Sequence, residues 1–399
     1  MSSAAVSVGA QRLPSLGLRR FAWAVLAYFI AVILWGTLVR ATGSGAGCGE
    51  HWPLCNGTVL QHSPRVDTMI EFTHRITSGL SFFSAVGLLV WTFAGTVRGH
   101  LARGAAVAAV TFTLIEAVIG ALLVKLGLTA QSQSPLRAPY LALHLTNTLL
   151  LLAALTLTAH LLSRRTGYIR GSIRLVAPFG AVASVVVVLI VGVTGSLAAL
   201  GDTLFPATSL GSALAQDFSA TSGWLVRWRW THPTVAFFAS VVLIWLLVRA
   251  ARKTTQWDNR GLSALVLVLL AAQYVLGVLD VVLLAPLWLQ VAHLLGADVL
   301  WAALVVLAAR LTLEPLTTGS TEQPIREYPA RKPKKRTNGE PTPGGVGRYK
   351  FQVQQGGNTR PGLVGACRGG ALSSDQSARR APLRHGGNST THPVWHKRP

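Results

Sequence analysis

Eight runs of about 20 apolar residues, separated by charged or Gly- and Pro-bearing segments, leave this chain few ways to fold. They cover roughly 21–39, 73–97, 104–124, 138–162, 175–200, 230–248, 262–284 and 287–309. A helix of about 20 residues rises about 30 Å, which matches the hydrocarbon core of a bilayer. The runs are continuous rather than alternating, which argues against membrane strands. Backbone inside lipid must satisfy its own hydrogen bonds, which leaves helices. Only 13% of the 399 residues are charged and 51% are hydrophobic, whereas soluble domains are about 25% charged. We therefore expect an all-α integral membrane protein with eight transmembrane helices. A cleavable signal peptide is not expected, because the first run is too long and lacks a clear small-residue cleavage site.

The net charge of +22 does not point to nucleic acid, because of where it lies. Residues 316–399 hold 15 Lys/Arg against 4 Asp/Glu, half of the excess. Ahead of that tail, 14 basic residues fall on one side of the spans and 7 on the other, several of these at helix ends. The positive-inside rule then places both termini in the cytoplasm and turns the long loops 40–71 and 201–229 outward. The tail is rich in Pro, Gly, Ser, Arg and Lys and is expected to be disordered. Its Arg331–Arg336 cluster either touches anionic lipid or belongs to a passive solvated extension. Cys367 in the tail reads as a free cytosolic thiol.

Four histidines, His74, His144, His232 and His293, occupy matching places on the second, fourth, sixth and eighth runs. All four of these runs cross from outside to inside, and each histidine is expected in the first two turns of its helix, near the outer surface. A histidine in a membrane is costly without a task. Depth-matched pairs, one pair in each half, fit two imidazoles holding a haem iron from both sides. A polar helix end or a zinc or copper site are the plainer and lesser alternatives, and zinc would want further ligands. His100 in an inner loop, His160 at an inner helix end, and His385, His392 and His396 in the tail are assigned to no site.

The halves echo each other. The segment from Thr42 matches that from Thr194, Thr73-His74 matches Thr231-His232, the segment from Ile115 matches that from Ala272, and the segment from Ala142 matches that from Val291, at offsets of 149 to 158. Four weak matches in one order predict two pseudo-symmetric four-helix bundles related along the membrane normal. The resulting division is 1–20 as a cytoplasmic segment, 21–165 and 166–312 as the two bundles, and 313–399 as the disordered basic tail.

The halves also differ. Glu71 shares a helix face with His74 in Glu71-Phe-Thr-His74-Arg75, where it either complements the helix dipole or handles charge beside a haem. Arg229 stands at the equivalent place in the second half. Cys48 and Cys55 lie in the outward loop, where disulfides persist, and their Gly- and Pro-bearing spacer can close a ring. They read as a structural staple or as a redox-active pair; a metal site with His51 has too few ligands. The second half has no cysteine, so chemistry is expected in the first. Arg40, Arg75, Arg137, Arg227 and Arg229 at the outer rim either snorkel or, one or two of them, pair with haem propionates. Glu116, Asp280 and Asp298 are acids within apolar runs without an assigned role, although Asp280 is near enough to a helix end to reach water.

Residues 20–310 resemble the haem A synthase family in its bacterial form, and the Arg- and Ala-rich composition looks actinobacterial. The resemblance rests on Glu71-x-x-His74-Arg75, the Cys48/Cys55 loop with its Gly-rich lead-in, the other three histidines and the eight spans in two repeats. It implies an oxidoreductase that converts the C8 methyl of haem O to the formyl group of haem A, by successive hydroxylations, for terminal oxidase biogenesis. It further implies substrate haem O between His74 and His144, haem b between His232 and His293, Glu71 as the catalytic carboxylate, and a Cys48–Cys55 disulfide in electron transfer. Haem O synthase, oxidase assembly factors and a further copy of the chain are the partners it allows. Glu116 departs from the pattern, since glutamine is expected there, as Gln273 stands in the second half; Asp298 is also atypical, and the tail has no counterpart. The rival reading is a di-haem b membrane electron-transfer protein that leaves its haem unmodified, and a parallel-repeat transporter is a further alternative.

Overall fold

The structure is a computed structural model, and it describes residues 14–58, 65–164, 173–175, 178–253 and 257–315. The expected disorder of the tail, with Cys367, His385, His392 and His396, lies outside the described residues.

Helices form on the apolar runs and extend past them into polar ends. α1 (Leu16–Ala41) begins after Ser15, whose side chain accepts from the Leu18 N–H at 3.2 Å, one of the donors that a helix start leaves orphaned. α2 (Val66–Gly95) carries Asp67 in its first turn, a favourable charge at the positive end of the helix dipole. α3 (Leu101–Lys125) is capped by His100, whose Nδ1 accepts from the Ala102 N–H at 3.1 Å. α4 (Arg137–Ser163) follows, and α5 (Pro178–Leu204) opens on proline, which tolerates the first helical position because no N–H is needed there. The outer segment that follows holds α6 (Leu210–Phe218) and α7 (Trp224–Arg227); α8 (Thr231–Lys253), α9 (Trp257–Val282) and α10 (Leu287–Thr312) complete the set. Eight helical segments among the described residues are long and apolar enough to cross a membrane. The chain is a multi-pass helical membrane protein.

Two details differ from the expectation. Residues 173–175 (β1) pair antiparallel with 313–315 (β2), Arg174 opposite Glu314, so the all-α plan carries one short ladder that ties the lead-in to α5 to the end of α10. The fifth helix therefore starts at Pro178 rather than at 175. In addition, α2 begins at Val66, seven residues before the apolar run, and this places His74 in the third turn, as His144 is in α4. His232 lies in the first turn of α8 and His293 in the second of α10. Hydropathy marks where lipid contact begins, whereas backbone hydrogen bonding carries a helix on into the polar rim.

α1 packs on α2 and α4, and α3 packs on α2 and α4; likewise α8 packs on α5 and α9, and α10 on α9 and α5. The first core joins Leu18, Val25 and Phe29 of α1, Leu88 of α2 and Leu152, Leu155 and Leu162 of α4, with Ala22, Ala85, Ala102 and Ala109 between them. Small residues at the crossings let the helices approach closely where lipid provides no hydrophobic drive. A second core gathers Leu243 and Leu247 of α8, Val266 of α9 and Leu300, Leu304 and Leu307 of α10. α10 belongs to both cores. Its Trp301, 0% exposed, joins the first core and donates Nε1–H to the Leu149 carbonyl of α4 at 2.8 Å. Phe83, Val90, Phe238 and Val268 point outward, as lipid-facing residues do.

Candidate functional site

Each half brings its two histidines into reach of each other. The rings of His232 and His293 lie 6.4 Å apart between centroids and are nearly perpendicular, at 85°. Two imidazole–metal bonds of about 2 Å each, with the two ring radii, span roughly 6 Å, so one iron held from both sides fits this separation. His74 and His144 are within electrostatic reach of each other. Nδ1 of each of these two is buried without a hydrogen-bond partner among the described residues. The donor set offered is therefore two imidazoles per site. Among the described residues, no three His, Cys, Asp or Glu side chains gather where they could hold a bare metal ion.

Glycines on neighbouring helices make room for three of the rings. A Cβ at Gly36 of α1 would come within 3.1 Å of His74 Cε1, one at Gly195 of α5 within 3.0 Å of His232 Cε1, and one at Gly277 of α9 within 3.4 Å of His293 Cε1. Thr194 Oγ1 also lies 3.2 Å from His232 Nδ1. These contacts correct one part of the expected repeat. Thr194-Gly195-Ser196 lies inside α5 against His232, whereas Thr42-Gly43-Ser44 follows the end of α1. The residue of the first half that plays the part of Gly195 is Gly36, so the echo between Thr42 and Thr194 is one of composition and not of position.

Above His74, one face of α2 holds the outward loop. Cys48 and Cys55 are joined in a disulfide, and both are 0% exposed. Gly47 lets the loop lie directly on α2, since a Cβ there would sit 2.6 Å from the backbone of Asp67 and Thr68. Glu71 is buried; its Oε2 accepts from the Cys48 N–H at 2.8 Å and its Oε1 from Arg75 Nε–H at 3.1 Å. Arg75 then donates to the carbonyls of His51 at 2.6 Å, of Gly49 at 3.5 Å and of Leu54. The acid and the arginine, one helical turn apart, thus clamp the disulfide ring to the helix that carries His74.

The second half makes a clamp of a different kind. Arg229 donates to Asp217 at 2.8 Å, to Asp202 and Gln216 at 3.1 Å each, and to the Phe205 carbonyl at 3.3 Å. It closes the outer segment over α8 as Glu71 and Arg75 close theirs over α2. Asp202, Gln216 and Asp217 carried no motif signal, because only the folded loop brings them to one guanidinium.

Four of the five rim arginines are occupied by protein groups. Arg40 donates to the Ala199 carbonyl at 2.8 Å, to Thr203 Oγ1 and to Gln290 Oε1 at 2.8 Å, linking α1 to α5 and α10. Arg137 donates to the carbonyls of Ala130 at 2.6 Å and Ser132 at 2.9 Å. Arg227 is exposed on α7. Of the three acids, Asp298 is buried with Oδ2 unpartnered among the described residues, and Asp280 also buries an Oδ1 without a partner among them. Glu116 lies beside His144, its Oε1 3.5 Å from Nδ1. His160 is buried near the C-terminal end of α4, away from these clusters in sequence and helix position.

Fold and site together define a polytopic helical membrane protein with two histidine pairs and a disulfide-bonded loop clamped over one of them. A model of the cytochrome oxidase assembly protein family (COX15-CtaA) matches residues 19–305, and the chain belongs to this family, that of the haem A synthases. A protein named "Protoheme IX farnesyltransferase" from Thermus thermophilus is 41% identical over 293 residues, 72% of this chain and 47% of that relative. Proteins named "Heme A synthase" match over shorter stretches. That of Exiguobacterium sibiricum is 35% identical over 136 residues, 34% of this chain and 43% of its own, and that of an Exiguobacterium species is 40% identical over 90 residues, 23% and 30%. The chain thus spans about half the length, or less, of these curated relatives.

Proposed function

We propose that this protein is a haem A synthase that oxidises the C8 methyl of haem O to the formyl group of haem A. The observation that carries the reading is the clamp of Glu71 and Arg75, which seats a buried disulfide on the helix of one histidine of a matched pair. In this reading His74 and His144 hold the iron of the substrate haem O, and His232 and His293 hold a resident haem b. A haem b there would supply a one-electron carrier. Residues 21–165 form the substrate bundle and 166–312 the supporting one, related by a pseudo-two-fold axis along the membrane normal.

Glu71 is the catalytic carboxylate. Removing two electrons and one C–H proton from the substrate builds positive charge at the methyl carbon, an oriented carboxylate offsets that charge, and water adds there with loss of a second proton to give the alcohol. Its orientation is set in advance by the Cys48 N–H and by Arg75, so little reorganisation is left for the reaction. Reduction of the Cys48–Cys55 disulfide to two thiols takes up the two electrons and two protons of the first hydroxylation; the second oxidation, to the formyl level, releases two more of each, so the pair must be reoxidised by an outside electron acceptor between the two rounds, and the hydrogen bond from Cys48 to Glu71 keeps the disulfide beside the carboxylate. Both termini are cytoplasmic and the histidines lie toward the outer face, where an oxidising compartment keeps the cysteines paired. A haem O-forming farnesyltransferase is a natural partner, because a relative named for farnesyl transfer contains a segment similar to this chain within 47% of its length.

The second reading is a di-haem electron-transfer protein. It is favoured by the fact that both oxygens of Glu71 already have partners, so the acid would be purely structural. The test is to co-express the protein with a source of haem O, extract the haems and separate them by mass and absorption. Haem A or a hydroxylated intermediate that disappears in His74→Ala is the expected result. Haem b alone, with haem O available, selects electron transfer.

A further inference from the structure

The two histidine pairs differ in what stands behind one ligand. Glu116 of α3 places Oε1 3.5 Å from His144 Nδ1, which is otherwise a buried ring nitrogen without a partner. The carboxylate is held from its far side: Asn147 Nδ2 donates to Oε2 at 2.5 Å, and the Thr148 hydroxyl reaches Oε1 and also the His144 carbonyl. Asn147 also donates to the Phe112 carbonyl at 2.9 Å, which locks its amide. In the second half the corresponding residue is Gln273. In the orientation that satisfies both its ends, its amide nitrogen donates to His293 Nδ1 at 3.2 Å and to the His293 carbonyl at 3.1 Å, and its oxygen accepts from the Ala297 N–H at 3.1 Å. Behind His232 stand the hydroxyl of Thr194 and the backbone of Val191.

We propose that Glu116 is a positioning residue for the first site, where its carboxylate accepts the Nδ1–H of His144, leaves Nε2 free for the iron and makes that imidazole the most electron-rich of the four ligands. This rests on the proposed assignment of His74 and His144 as a haem-iron pair. An ionised carboxylate only accepts, so it selects a single tautomer, whereas an amide can turn to serve either one. A ligating histidine that donates its other N–H to a carboxylate is a stronger base toward the metal. The oxidised iron is then favoured at the first site relative to the second. With iron on Nε2 the Nδ1 of His293 carries the proton, so Gln273 would turn its amide oxygen to it, and a neutral oxygen sets a weaker bias than a carboxylate.

The test uses the full-length protein with both haems bound, followed by optical redox titration and low-temperature electron paramagnetic resonance. In Glu116→Gln one haem is expected to shift to a higher midpoint potential with altered g-values while the other is unmoved, and Glu116→Asp is expected to restore part of the shift. Both haems retained at unchanged potentials in Glu116→Gln would overturn the proposal. Loss of one haem in Glu116→Gln but not in Glu116→Asp supports it; loss in both, from protein that still elutes folded, reduces Glu116 to packing and overturns it. His144→Ala separates the two levels. If that variant keeps both haems, the ligand assignment itself is wrong and the role of Glu116 falls with it; if it loses one, the Glu116 variants speak to Glu116 alone.

Discussion

Glu71 accepts the backbone N–H of Cys48 at 2.8 Å across 23 positions of sequence. One bond thereby joins the acid of the histidine helix to the first residue of the disulfide ring. Replacing Glu71 by Gln keeps an oxygen for that N–H and removes the charge facing Arg75. A hydrogen bond to a charged group contributes about 1.5–3 kcal/mol, and Arg75 retains its three loop carbonyls, so the loss of stability should fall at or below that range. Haem content should be kept and conversion of haem O lost. Chromatography of extracted haems checks this, and full conversion in the variant would remove Glu71 from the chemistry.

Replacing both Cys48 and Cys55 by Ser separates a staple from an electron acceptor. Opening a ring of this size should cost about 2–3 kcal/mol, while Arg75 and Glu71 go on holding the loop. If the pair accepts electrons, turnover falls far more than haem occupancy does. Equal haem content and undiminished conversion, measured side by side with thermal unfolding, would leave the disulfide a structural element only.

Gly195→Ala and Gly36→Ala each place a methyl against a ring, at 3.0 Å from His232 and 3.1 Å from His74. Within a helix, alanine is otherwise favoured over glycine by about 1 kcal/mol, so a loss of function here cannot be a loss of helix. Each variant should lose one of the two haems and keep the other, read as haem per protein by pyridine haemochrome. Retention of both in either variant would show that its ring has room to move and that the glycine is not needed for the site.

His100 tests pH dependence at the start of α3. As the cap of α3 it must accept at Nδ1, and burial, followed by the nearby Arg103, lowers its pKa from the ordinary 6.5. The unfolded chain therefore takes up the proton first as pH falls. Stability from this group is complete above about pH 6.5 and declines below it until the folded form also protonates. His100→Asn keeps a capping oxygen without a titrating group, and should flatten the fall in melting temperature between neutral and mildly acidic pH. Identical pH profiles for the two proteins would refute it.

The spans were legible because apolar length is a local, additive property, and the four histidines stood out because imidazole in lipid is costly. The clamp of Glu71 was half legible: spacing put the acid beside His74, but nothing in it named Cys48 as the partner. The partners of Arg229 were not legible for the same reason. A rim arginine looks available for propionates until the fold brings Asp202 and Asp217 to it.

By itself the sequence determined a membrane protein of eight helices, two histidine pairs and one cysteine loop, because hydrophobicity and the cost of buried polar groups act residue by residue. Only the tertiary structure decided which glycine faces which ring, that the Thr42 and Thr194 segments are not equivalent, that α10 serves both cores, and that Glu116 stands behind His144. Those are choices of partner between helices. They depend on where packing brings distant side chains together, and no local pattern encodes that.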